Sequence, residues 1–385
     1  PVATAPSNIT MNATSGQCGV AAYLVSLGLP TATDNCAVVS TTNNAPATFP
    51  KGVTTVTWTV SDAAGNSVTV TQTVTVNDNQ APSLSVSANI TVPTDLGACT
   101  TVVNVTDATF SDNCTGATLS YSITGATVAT GSGQLGLYTF NKGVSTVVYT
   151  ATDASGNTTT RSMTVTVNDA QAPVVTPTAN ISVPTALNLC TASVSVTDAV
   201  FTDNCSGAVL SYVMSGATTK ASTSGQVGTY TFNRGVTTIT YTSTDAVGNS
   251  STASMTVTVS DQQGPTIVPA SNISASTSTC SSSLTVPFAT FTDNCGTVSS
   301  YSCVLSGSTT ATYTNQQVLQ PRIFNRGVTT ITYTVTDGSG NTATAATTVT
   351  VNDGQAPTVT AAAAATVNAA TGQCTASVAV VNATF

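Results

Sequence analysis

Around Gly248 and Asn249 the chain alternates between apolar and hydroxylated residues on both sides of a turn. Val236, Ile239 and Tyr241 precede it, and Met255, Val257 and Val259 follow, with Thr and Ser filling the gaps. Strand side chains switch faces at every step, so this reads as a hairpin of two half-buried strands closed by Gly-Asn. Shorter stretches of the same kind predict strands at 89–93 (NITVP), 99–105 (CTTVVNV), 118–124 (TLSYSIT) and 137–140 (LYTF). No stretch shows helical periodicity. The Ala run at 361–365 falls where a first strand is expected.

The pattern recurs. Near-identical words end in Pro82, Pro173, Pro265 and Pro357, and Pro1 holds the same position one repeat earlier. The triplet DNC occurs at 34–36, 112–114, 203–205 and 293–295. FPKGV at 49–53 returns as FNKGV at 140–144 and as FNRGV at 232–236 and 324–328. The turn words are DAAGN at 62–66, DASGN at 153–157, DAVGN at 245–249 and DGSGN at 337–341. These landmarks divide the chain into repeats at 1–81, 82–172, 173–264 and 265–356, with the start of a fifth at 357–385. About seven short strands per ~90 residues predict an all-β protein of tandem immunoglobulin-like β-sandwich domains in an extended rod.

Composition narrows the chemistry. Charged residues are 6% of the chain, the 15 acidic residues are all Asp, and there is no His. Ser-His and Cys-His nucleophiles and His-ligated metals are therefore excluded, and no Glu is present to act as a general acid. The Asp residues recur in every repeat, whereas an active site is normally unique, so the expectation is a protein that is not an enzyme. A net charge of −8 with only seven basic residues argues against nucleic acid. No apolar run reaches the ~20 residues of a membrane-spanning helix. Ten Cys without CxxC spacing point to disulfides and an extracellular or cell-surface location.

FPKGVTTVTWTVSDAAGN at 49–66, together with the DNC triplet and the closing V-x-D-x-x-A-P, resembles the hyalin repeat (HYR) family. The resemblance covers all four repeats and the partial fifth. It implies an immunoglobulin-like extracellular module, often in tandem and associated with adhesion, found in bacterial cell-surface and secreted adhesin-like proteins as well as in animal ones. The linker word NDNQAP at 77–82 also looks like a cadherin linker.

Spacing suggests one bridge within each repeat: Cys18–Cys36, Cys99–Cys114, Cys190–Cys205 and Cys280–Cys295. Closing a ~15-residue loop would stabilise by about 3 kcal/mol. Cys303 and Cys374 are left unpaired in this chain, Cys303 because no sibling matches it and Cys374 because its partner would lie past Phe385.

Twelve of the 15 Asp occupy the DNC, DxxGN and linker positions. Strand order brings each linker Asp to the hairpin of the next repeat: Asp78 to Asp153, Asp169 to Asp245, Asp261 to Asp337. The DNC residues Asp112, Asp203 and Asp293 join them if that loop lies at the entry end. The intrarepeat bridge pulls the other way and would substitute Asp34 for Asp112 at the first junction. Two readings stand. The carboxylates form turns by accepting backbone N–H groups, or they collect Ca²⁺ at the junctions, since hard cations take oxygen ligands. Asn-x-Ser/Thr at Asn8, Asn89, Asn180 and Asn272 reads as strand sequence or as a glycosylation acceptor. Trp58, at the place of Tyr149, Tyr241 and Tyr333, reads as a core aromatic or a carbohydrate platform.

The expected function is structural: an extracellular rod or filament that associates homotypically. The alternative is an adhesin stalk or binding module for glycan or protein, with any ligand site placed in the divergent segment around Cys303 and QQVLQPRIF at 316–324.

Overall fold

The computed structural model describes residues 1–318 and 320–384. Leu319, within QQVLQPRIF, and Phe385, at the end of the fifth repeat, lie outside the described residues. The chain forms two compact units. One comprises Pro1–Val175 with Phe201–Val209 and Ser243–Ser251; the other comprises Thr176–Val200, Leu210–Thr242 and Thr252–Phe385.

In the first unit, residues 83–168 show the plan most fully. The two long strands Gly143–Thr152 and Thr158–Asn168 pair antiparallel around the Asp153–Asn157 turn. Thr118–Gly125 adds to one side and carries Ala129–Ser132 at the edge. Ile90–Pro93 adds to the other side in parallel. The opposing layer is made of Thr100–Val105 paired with Gly136–Asn141, and Ser83–Ser85 pairs with Thr109–Ser111. Strict alternation creates the core: Val147, Tyr149, Ala151, Met163, Val165 and Val167 point inward and Thr or Ser outward. Phe140 and Tyr149 are wholly buried, and truncating either to Ala should cost about 3–5 kcal/mol. Nine strands form here rather than about seven, because Ser83–Ser85, Thr109–Ser111 and Ala129–Ser132 are too brief to show an alternating run. Residues 1–77 build a smaller version, with the sheet order Ile9–Asn12, Ser67–Asn77, Gly52–Asp62, Val38–Asn43. Here Trp58 is buried and its Nε1 donates to Gln72 Oε1 at 3.2 Å. Gln72 Nε2 in turn donates to the carbonyls of Ser7 and Leu27. Trp58 is thus a core residue with its N–H satisfied, not a carbohydrate platform.

In the second unit, residues 266–353 repeat the five-stranded sheet, ordered Ile273–Thr277, Thr342–Asp353, Gly327–Thr336, Ser300–Gly307, Ala311–Thr314. This repeat accounts for Cys303. In the sibling, Tyr121 faces Gly131 across the strand pair, and a Cβ on Gly131 would meet the Tyr121 hydroxyl. In the fourth repeat the same pair of positions holds Cys303 and Tyr313. Small and large have changed places across the ladder, which keeps the core filled. The free Cys303 thiol is fully buried, and burial pushes its pKa up to about 11.

Past Asp353 the described residues form no named strand. The bridge Thr360–Thr384 has the same register as Ser85–Thr109 in the second repeat. Residues 361–365 carry neither strand nor helix.

Candidate functional site at the junctions between repeats

The structure corrects the disulfides. Cys18 bonds Cys114, Cys99 bonds Cys205 and Cys190 bonds Cys295, with Cα–Cα distances of 4.8, 4.9 and 4.7 Å. The pairings Cys18–Cys36, Cys99–Cys114, Cys190–Cys205 and Cys280–Cys295 do not form. Cys36 and Cys280 are free and exposed, as is Cys374. The reason is strand length. Cys99 and Cys114 flank the six-residue strand Thr100–Val105 and the segment that follows it, and such a strand spans about 20 Å, whereas bridged Cα atoms must lie within ~7 Å. The first Cys of a repeat therefore sits at its exit end and the DNC Cys at its entry end, so each bridge closes onto the neighbouring repeat.

The other recurring words assemble around the bridge. The DNC Asn reaches to the residue preceding the partner Cys: Asn113 Nδ2 donates to Gln17 O at 3.0 Å, Asn204 to Ala98 O at 2.9 Å, Asn294 to Leu189 O at 2.9 Å. The DxxGN Asn donates to the linker carbonyl: Asn157 to Asp78 O, Asn249 to Asp169 O, Asn341 to Asp261 O. The linker Gln accepts a backbone N–H from the loop just before the bridge: Gln80 from Gly16, Gln171 from Gly97, Gln263 from Asn188. Each junction is thus held by one covalent bond and three recurring side-chain-to-backbone bonds.

The aspartates divide by position. Those of DxxGN close their own turns: Asp153 Oδ1 accepts from the N–H groups of Ser155 and Asn157, and its Oδ2 from Asn157 Nδ2. The Gly of the turn has φ of 89°, 100° and 92° at Gly156, Gly248 and Gly340, which only Gly adopts freely. Burial pushes the Asp153, Asp245 and Asp337 carboxyls up, but these hydrogen bonds outweigh it and hold all three below the ordinary value. Asp62, led by its bond from Asn66, is also held low. The DNC Asp caps the N–H of its own Cys: Asp112 to Cys114, Asp203 to Cys205, Asp293 to Cys295. At the first two junctions the linker Asp meets the basic residue of the FxKGV word: Lys51 Nζ lies 3.5 Å from Asp78 Oδ2 and Lys142 Nζ 3.2 Å from Asp169 Oδ2.

The structure brings Asp169, Asp203 and Asp245 together, and likewise Asp261, Asp293 and Asp337, with one carboxylate oxygen of each within 4.8 Å of the others. At the first junction Asp78 and Asp112 meet, and the third member of the group is Cys114, whose sulfur is already in a disulfide. Asp153 is not in that group. Asp112 joins this junction rather than Asp34, whose Oδ2 lies 2.8 Å from the Pro1 amine.

Sequence reasoning missed three roles: the DNC Asn, the linker Gln and the sequon Asn. Asn8, Asn89, Asn180 and Asn272 each accept, through Oδ1, an N–H of the last strand of their own repeat, at Thr73, Thr164, Thr256 and Thr348. Their regular spacing was the available signal.

The HYR-domain model matches residues 1–76 and 77–167. The first two repeats therefore match the HYR domain. The third and fourth repeats carry the same words. Hyalin of the sea urchin Strongylocentrotus purpuratus is 37% identical over 175 residues, 44% of this chain and 13% of that protein. Hyalin of Lytechinus variegatus is 35% identical over 181 residues, 46% of this chain and 31% of that protein. The chain thus spans a minor part of either relative. Among solved structures, an adhesin described as Ca²⁺-stabilized, from an Antarctic bacterium that binds ice, shares 19% identity over 91% of this chain and all of its own, with a TM-score of 0.35. Extracellular cadherin domains 1–5 of protocadherin gamma B2 share 14% over 92% of this chain and 82% of their own, with a TM-score of 0.32.

Proposed function

We propose that this HYR array is a non-enzymatic, load-bearing segment of an extracellular adhesive protein. The observation that carries this reading is the overlap of the disulfides along the chain. Cys99 lies inside the loop closed by Cys18–Cys114, and Cys190 lies inside the loop closed by Cys99–Cys205. The shortest covalent path from Cys18 to Cys295 therefore crosses three bridges and only two short stretches, 99–114 and 190–205. Tension follows that path. A stretch of 15 residues extends to about 50 Å, whereas a whole unfolded repeat would extend to about 300 Å. Pulled from its ends, the part between Cys18 and Cys295 cannot extend fully while its bridges hold. Cys36 and Cys280 hold the two complementary roles in an unfinished bridge, and further repeats of the same type would continue the ladder in both directions.

Single-molecule stretching tests the proposal. Oxidised protein pulled from residues outside the ladder should show no extension step near 300 Å for the second and third repeats, and a reductant should restore those steps. Full-length steps in oxidised protein would refute it.

A second reading is favoured by one feature. In the fourth repeat Phe288 stands where the siblings carry Asp107 and Asp198, and it is exposed. With Tyr301, Asn315, Gln316 and Gln317 it lines an open cavity of about 540 Å³. Aromatic faces beside amides and no charged group suit a neutral saccharide. Glycan-array binding that Phe288→Asp abolishes would support this reading, and no binding by the unaltered chain would remove it.

A further inference from the structure

We infer that each junction between repeats is a binding site for a hard divalent cation of the Ca²⁺ class. The inference does not depend on the adhesive reading, since it concerns buried atoms that lack partners. At every junction the DNC word leaves two oxygens buried with no donor. They are Asp112 Oδ1 and Asn113 Oδ1, Asp203 Oδ1 and Asn204 Oδ1, Asp293 Oδ2 and Asn294 Oδ1. At the first junction the Asp78 side chain has no exposed surface, and Lys51 Nζ lies 3.5 Å from its Oδ2. Unpaired buried acceptors are rare in folded proteins, and here the same two roles are orphaned three times over.

The amide orientation is fixed independently. Asn113, Asn204 and Asn294 each aim Nδ2 at a backbone carbonyl, so Oδ1 must face the other way. Asn113 and Asn204 also place Nδ2 3.4 and 3.3 Å from the linker carboxylates Asp78 and Asp169, which puts these amides beside the acidic group.

Charge points the same way. Asp169 and Asp245 are buried, as are Asp261 and Asp337, and each pair shares its 4.8 Å group with a third carboxylate. Among the described residues, the only ion pair within 4 Å at the second group is Lys142 with Asp169, and the third group has none. Buried like charges at that separation require a counter-charge. The candidate ligands grouped at the second and third junctions are carboxylate oxygens. They come from separate chain segments. That set suits Ca²⁺, which takes six to eight oxygens in adaptable geometry, better than Mg²⁺.

The test is calorimetric titration of the chelator-stripped full chain with CaCl₂, with thermal melting in parallel. The expected result is three sites per chain and a melting temperature that rises with Ca²⁺. Mg²⁺ should need at least tenfold higher concentration. Asp203→Asn keeps the shape and removes one charge, so one of the three sites should weaken at least tenfold while the other two remain. The triple variant Asp112→Asn, Asp203→Asn, Asp293→Asn should melt at the same temperature with or without Ca²⁺. In chelator it should be no less stable than the unaltered chain, because repulsion has been relieved. Absence of binding and of any melting shift in the unaltered chain at millimolar Ca²⁺ would overturn the inference. So would binding that the triple variant retains, and binding that Mg²⁺ matches would overturn the assignment to the Ca²⁺ class.

Discussion

The junctions after the second and third repeats play the same parts with different basic residues. After the second, Lys142 Nζ reaches Asp169 Oδ2 directly at 3.2 Å. After the third, Arg234 Nη1 donates to Ser339 Oγ at 2.8 Å, and that hydroxyl donates to Asp261 Oδ2 at 3.2 Å. Everything else matches: the bridge, the DNC Asn on a carbonyl beside the partner Cys, the DxxGN Asn on the linker carbonyl and the Gln on the preceding loop. The backbone bonds therefore define the joint, and the basic residue adjusts its charge. A planar guanidinium and a compact ammonium are not interchangeable against a buried carboxylate, and a serine relay accommodates the change.

The largest effect should come from the bridges. Cys205→Ser and Cys295→Ser each open a loop closed over 106 and 105 residues, worth about 4.7 kcal/mol in the chain-entropy model. Denaturant melts should show nearly equal losses at the two junctions. A loss at one that is several-fold larger would show that they are not equivalent joints.

Acid should act next, and alike on both. The Asp245 and Asp337 carboxyls are held below the ordinary value by turn hydrogen bonds that outweigh burial. A depressed folded pKa stabilises the fold above the unfolded value near ~3.9 and ceases to do so as pH falls through the folded value. Melting temperature should therefore be flat at neutral pH and drop below about pH 4, with Asp245→Asn and Asp337→Asn each making the drop shallower. An unchanged acid limb in both variants would show that these turns are not what titrates.

The fold and the site were legible to different degrees. Long strands such as Gly235–Thr244 and Ser250–Ser260 could be read because each has one buried face and so alternates strictly. The repeat words located the junction residues because the same turn chemistry is needed each time. Bridge partners could not be read from spacing. The separation of 15 from Cys99 to Cys114 looks like a small loop until Thr100–Val105 is seen to form a strand that carries the chain away from Cys99. Cys303 was opaque for another reason: its explanation lies in Tyr313 across the ladder, and a cross-strand size exchange leaves no local mark.

The smallest effect should sharpen the comparison most. Lys142→Met leaves the Asp169 side chain, which has no exposed surface, without its cation, and Lys142 itself is only 22% exposed. The loss should be about 1–2 kcal/mol, above the range for surface pairs. Arg234→Met removes a partner that touches Ser339 rather than Asp261, so its cost should stay near ~0.5 kcal/mol. Added Ca²⁺ should shrink the first loss, because a cation at the same carboxylates would replace the missing charge. If the two variants cost the same and neither responds to Ca²⁺, the basic residues merely cover the joints, and the difference between Lys142 and Arg234 carries no electrostatic meaning.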